Sequence, residues 1–227
     1  KLSESVKQPS SFTRLANIVS SAGQKIQTST VIEYVKYMEE TWLLFSLTNY
    51  AAKFAEKESA KKYYFRDNGI LNLFLIDPET SLLENRVAVE LKKLYGEEVY
   101  FYNKSVEVDF YVPQLDWLIQ ASYSIANEET REREVSALLK VGKHVSAQRL
   151  TIITYNEEQT LQVNGKSIEV IPLWKWLLKT PRMYMLCMMM PSPTTEKPQK
   201  GVFIMQIKKD TIIGDILDAA PDTAPFF

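Results

Sequence analysis

Between residues 81 and 155 the spacing of apolar residues switches from a helical period to a strand period, and then does so again. Ser81 is placed to cap a helix from 82 to about 95. That helix has Leu83, Val87, Leu91 and Leu94 on one face and Gly96 as its stop. Three strand runs follow, at 99–102, 106–112 and 117–123. In the second, strict alternation puts Val106, Val108, Phe110 and Val112 on one face and Glu107, Asp109 and Tyr111 on the other. In the third, Leu118, Gln120 and Ser122 share a face. Asn127 then caps a helix with Glu128 and Glu129 in its first turn, where negative charge suits the helix dipole. That helix runs to about 141 and stops at Gly142, and 150–155 has the composition of a buried strand. Helix, three strands, helix, strand is an α/β order.

The flanks add shorter elements. Residues 62–66 (KYYFR) read as a strand and Asp67-Asn68-Gly69 as a turn. Residues 160–163 and 166–170 flank Asn164-Gly165, the strongest hairpin signal in the chain. Residues 173–178 read as a short helix in which Trp174 and Trp176 pack rather than bind.

The N-terminal part has a different pattern. Ser11 is placed to cap a helix to about 21, with Phe12, Leu15, Ile18 and Val19 along one side. After Gly23, Ser29 or Thr30 is placed to cap a second helix with the stripe Val31, Val35, Met38. The β-prone run Trp42-Leu43-Leu44-Phe45 follows. Two helices across a Gly-containing turn, then strands, is a winged-helix arrangement over residues 1–60. Residues 1–66 hold 10 basic against 6 acidic side chains, while the whole chain has a net charge of -1. DNA contact is therefore expected here if anywhere, from Lys25, Thr28, Ser29, Thr30 and Lys36. The other reading of the same helix is packing or protein docking, because Glu33, Glu39 and Glu40 weaken the field.

Composition removes several chemistries. One Cys and one His exclude an intrachain disulfide, a thiolate zinc cluster and any site built on two imidazoles. The seven glycines form neither common phosphate-binding loop, so no ATP site is expected in these residues. No apolar run approaches a membrane span, no N-terminal signal segment stands out, and the cytoplasm is the expected location. From 181 to 200, four prolines and a Met-rich run read as linker or disorder, so 181–204 divides the α/β part (61–180) from a tail (205–227).

The α/β order resembles the core of the restriction-endonuclease-like, or PD-(D/E)xK, superfamily. The resemblance implies a carboxylate on the middle strand and another on the next strand, both holding Mg²⁺. It also implies a lysine two residues on that orients the attacking water. Asp109 fits the first position, and Glu84 or Glu90 a helical one. The next strand offers Gln120 and Ser122 where a carboxylate and an ammonium belong, which implies a degenerate site. Lys140 is the candidate for a displaced cation. Mg²⁺ is expected only if the site is active, held by Asp109 and Glu84.

A second resemblance is more specific. YFRDNGILN (64–72), LLENRVAVEL (82–91), EVDF (107–110), IQASYS (119–124), ETREREVSALL (129–139) and IPLWKWLL (171–178) occur in order. Together they resemble the C-terminal region of prokaryotic AAA-type ATPases of unknown function. In these proteins a winged helix and a nuclease-like domain follow an N-terminal P-loop ATPase. The resemblance implies a non-catalytic regulatory or DNA-engaging region. Its partners would be that ATPase domain and DNA, with no membrane. A metal-dependent nuclease with an altered site and a protein-docking module are the alternatives. The tail from Met205 resembles the opening of a redox-disulfide domain associated with hybrid cluster proteins. Either a fusion of reading frames or a genuine linker with a short accessory helix accounts for it.

Overall fold

The computed structural model describes residues 9–21, 23, 25–53 and 61–179. The expected linker and the tail from Met205 lie outside them. The described residues all fall within one unit, Lys1–Met189.

The chain begins with α1 (Phe12–Ser21) and α2 (Thr28–Glu40). Ser11 caps α1 as expected, its Oγ accepting from the Arg14 N–H at 3.2 Å. Helix α2 starts earlier than expected. Gln27 is its N-cap without a side-chain bond, so Ser29 and Thr30 lie inside the first turn. Leu15, Ala16, Val31 and Val35 bury against Tyr63, with Phe12 and Met38 at the margin. These are mostly the positions that the helical spacing picks out.

Among the described residues the strands form one mixed sheet of eight in the order β2-β1-β3-β4-β5-β6-β8-β7. Its strands are β1 (Leu44–Asn49), β2 (Lys62–Phe65), β3 (Tyr100–Asn103) and β4 (Glu107–Val112), then β5 (Trp117–Ala121), β6 (Arg149–Thr154), β7 (Gln159–Val163) and β8 (Lys166–Pro172). Strand β1 pairs antiparallel with β2 and parallel with β3. The sheet therefore runs across residue 60, where the sequence suggests a domain boundary. A β-prone run directly after a helix carries no mark of which later strands it will join.

The described residues also form the helices α3 (Asn68–Asn72), α4 (Glu79–Tyr95) and α5 (Glu128–Val141). A last helical stretch spans 173–179. Asp67-Asn68-Gly69 is a helix start rather than a simple turn, because the Asp67 carboxylate accepts from the Ile70 N–H at 2.8 Å and caps α3. Helix α4 starts at Glu79, ahead of Ser81, with Pro78 as its N-cap. Asn127 caps α5 through the Thr130 N–H. Asn164 and Gly165 both have positive φ (53° and 73°), as a two-residue hairpin turn of this type requires.

Both sheet faces are covered. Val87, Ala88 and Leu91 of α4 share one core with Phe110, Val112, Trp117, Ile119, Ile153 and Ile171. Val135, Leu138 and Val141 of α5 share the other with Val108, Tyr111, Leu118, Ile152 and Val170. The strict alternation expected of 106–112 therefore breaks: Val108 belongs to the α5 core, and Phe110 and Val112 to the α4 core. The cause is a slip in pairing. Tyr102 faces Val108 but Tyr100 faces Tyr111, so β4 carries one extra residue in between. Such a bulge re-aims the side chains around it, and Asp109 sits within it.

Candidate functional site

A cleft of about 520 Å³ opens beside that bulge. Its wall includes Glu84 from α4, Glu107 and Asp109 from β4, Gln120 and Ser122 at the end of β5, and Arg133, Glu134 and Lys140 from α5. The structure thus gathers Glu84, Asp109, Gln120 and Ser122 into one place. Glu90, the alternative helical carboxylate, is elsewhere and pairs with Arg86 at 3.1 Å.

The residue that organises the cleft is Lys62. Its side chain is 0% exposed, and its Nζ lies 2.7 Å from Glu107, 3.3 Å from Glu84 and 3.3 Å from Asp109. The Phe101 ring lies beneath it, 5.7 Å from Nζ to centroid. Tyr64, two residues along the same strand, donates its hydroxyl to the same Glu84 Oε1 at 3.0 Å. Burial alone would pull the Lys62 pKa down. Glu84, then Tyr64, Asp109 and Glu107, outweigh it and hold the ammonium well above its ordinary value. Tyr64 is pushed up by its own burial, so it stays a donor.

The remaining oxygens are also engaged. Asp109 Oδ2 accepts from the Ala121 N–H at 3.0 Å. Gln120 Oε1 accepts from the Asp109 N–H at 2.8 Å, and its Nε2 donates to Glu134 at 2.7 Å. Both functions of the amide are used, which a carboxylate there could not do. Burial raises the Glu134 pKa, opposed by the Arg133 guanidinium 2.6 Å away. Ser122 donates to the Ser124 carbonyl at 3.1 Å. Lys140 lies exposed on the wall and makes no ion pair among the described residues.

A divalent ion does not fit this arrangement. Mg²⁺ needs carboxylate oxygens with free lone pairs aimed at one point. Here the ammonium of Lys62 holds that point against Glu84, Glu107 and Asp109, and the amide of Gln120 is committed on both sides. Among the described residues no group of three His, Cys, Asp or Glu side chains is arranged to hold a metal ion.

The sequence reading does not find Lys62. A lysine at the start of a strand reads as a solvated end, and its three partners lie 22, 45 and 47 residues away in the chain. The only available signal is its two-residue spacing to Tyr64, which puts both polar ends on one face.

The expected DNA-contact residues lie at the start of α2. Lys25, Ser29 and Lys36 are exposed, and Thr28 and Thr30 are half-buried. Lys36 pairs with Glu40 at 3.6 Å, and Tyr37 donates to Glu33. Ile32, Tyr34 and Tyr37 are exposed around them.

A family model described as a domain of unknown function, DUF8612, matches residues 2–80. The chain is also similar to the uncharacterized protein MJ1544 of Methanocaldococcus jannaschii. The two are 32% identical over 179 residues, covering 74% of this chain. The chain spans 40% of the length of that relative. No solved structure matches. Among the described residues no helix is long and apolar enough to cross a membrane.

Proposed function

We propose that this chain is a non-catalytic regulatory or DNA-engaging region of a prokaryotic AAA-type ATPase, built as a winged helix on a restriction-endonuclease-like core. The ordered motifs from Tyr64 to Leu178 support the parentage. The order α4, β3, β4, β5, α5, β6 supports the nuclease-like core.

The observation that carries the non-catalytic reading is the ammonium of Lys62 among Glu84, Glu107 and Asp109. A lysine that served a nuclease would have to touch the attacking water at a scissile phosphate. Lys62 is fully buried and its ion pairs among the described residues are all with carboxylates of the fold, so it acts as an internal counter-ion. The three acids then shape the fold instead of gathering metal. Glu134 beside them is answered in turn by Arg133.

The test is a plasmid-nicking assay with Mg²⁺ or Mn²⁺. No nicking above background is expected. Cleavage that disappears on Asp109→Ala would replace this reading with an active, altered nuclease.

A further inference from the structure

A second cavity, of about 270 Å³, lies beyond the C-terminal end of α2 and is lined by Trp42, Phe45, Arg66, Val89, Lys92 and Lys93. Three of its six residues are cations and none is acidic.

Trp42 is unusual there. The Trp42 N–H bonds to the Glu39 carbonyl and the Leu43 N–H to the Met38 carbonyl. This is the Schellman closure, whose pivot is usually glycine because it requires positive φ. Trp42 fills the pivot at φ 62° and is 72% exposed. A bulky residue in this conformation is strained, and such strain persists where it serves a purpose. Neither fold nor burial accounts for a large indole at that point.

Two of the three cations, Arg66 and Lys93, are equally unspent. The Arg66 guanidinium lies over the Trp42 ring, with Cζ 4.3 Å from the centroid, and 5.6 Å from the Phe45 centroid. Stacking uses its face and leaves its in-plane N–H donors for other partners. None of them meets an acceptor among the described residues. Lys92 lies 6.0 Å from the same Phe45 ring and pairs at 2.7 Å with the exposed Glu97, its one acidic partner among the described residues. Lys93 has no ion pair among the described residues. Two cations converging on one aromatic ring repel each other unless an anion joins them.

We propose that this pocket holds one nucleotide of a single-stranded nucleic acid, its base against Trp42 and the flanking phosphates on Arg66, Lys92 and Lys93. Aromatic faces interleaved with cations are how sequence-independent single-strand sites are built. A duplex keeps its base faces stacked and cannot use the indole. An acidic peptide would use the cations but has no call on the strained tryptophan. The inference goes beyond the reading of the Lys62 cleft and survives or fails separately from it. Loss of single-strand binding removes this inference and leaves the nicking result untouched.

The experiment is fluorescence anisotropy of a labelled dT 12-mer titrated with the full chain at several salt concentrations. Saturable binding is expected, with a log–log salt slope near -2, since three contacts contribute roughly 0.7 each. Trp42→Gly should weaken binding by about 5- to 150-fold, the range for loss of one stacked base. Its melting temperature should hold or rise, because glycine suits the pivot. Arg66→Gln and Lys93→Gln should each flatten the slope by about 0.7. The proposal is overturned by absence of binding or by affinity unchanged in Trp42→Gly. Equal affinity for a glutamate 12-mer or a blunt duplex of the same length would overturn it as well.

Discussion

Lys62 and Arg66 bracket the same short strand, β2, four positions apart, and meet opposite fates. Lys62 enters the protein and is held by three carboxylates. Arg66 turns outward onto an exposed indole and finds no carboxylate among the described residues. The strand ends between them, and that accounts for much of the difference. Lys62 pairs with Leu47 inside the β1–β2 ladder, while Arg66 lies just past it, its N–H still bonded to the Leu43 carbonyl. A cation whose charge is answered inside the fold is structural. One left unanswered at the surface is available to a ligand.

Removing the two charges should break this comparison most sharply. Lys62→Met leaves Glu84 buried and uncompensated, which typically costs about 3–5 kcal/mol. A chain of this size should then melt on the order of 10 °C lower. Thermal unfolding at pH 7 measures it. Because the folded Lys62 pKa is raised, its contribution is fully present below the ordinary lysine pKa and is lost progressively as pH rises from there through the raised value. The gap between wild type and variant should therefore stay constant from pH 7 to about pH 10.

The next largest effect concerns the other end of the cleft. Gln120→Glu places a carboxylate where the nuclease resemblance would expect one, and sets two buried acids against each other at Glu134. It should cost about 1–3 kcal/mol at pH 7. Glu134 already has a raised pKa, from burial. A proton shared between the pair removes the repulsion, so the loss should shrink as pH falls toward the carboxylate range. Denaturant unfolding at pH 7 and pH 5 checks both parts. An equal loss at the two values would show that the amide matters for shape alone.

The smallest effect should come from Arg66. Arg66→Ala removes an exposed cation–π contact and no ion pair, so it should change stability by less than about 1 kcal/mol. A loss as large as that of Lys62→Met would erase the distinction between the two residues.

How far this was legible in the sequence depends on the range of the signal. The Asn127 cap, the Asn164-Gly165 turn and the helix ending at Gly142 are each written in a few neighbouring residues, and the structure has them there. Glu84, Gln120 and Ser122 follow from their own elements' periods, whereas Asp109 sits in the β4 bulge, where the period breaks. The slip in β4 is not legible, since one extra residue leaves the hydrophobic pattern of 106–112 unchanged and alters only its pairing. Nor is the union of β1 with β3, which rests on Thr48 and Asn49 meeting Tyr100 and Phe101 across the fold. Lys62 combines both difficulties: a short, uniformly buried strand with no alternation, and partners on two distant elements.

The Lys62 ammonium holds the point on which Glu84, Glu107 and Asp109 converge, where a divalent ion would otherwise have to sit. Melting curves with and without MnCl₂ at about 10 mM test it most directly. An ion bound at 100 times less than that concentration would add roughly 2.7 kcal/mol to stability. The wild-type melting temperature should not move, whereas Lys62→Met, with its carboxylates released, should regain part of its lost stability. A wild-type rise of several degrees, with no added gain in Lys62→Met, would contradict the account.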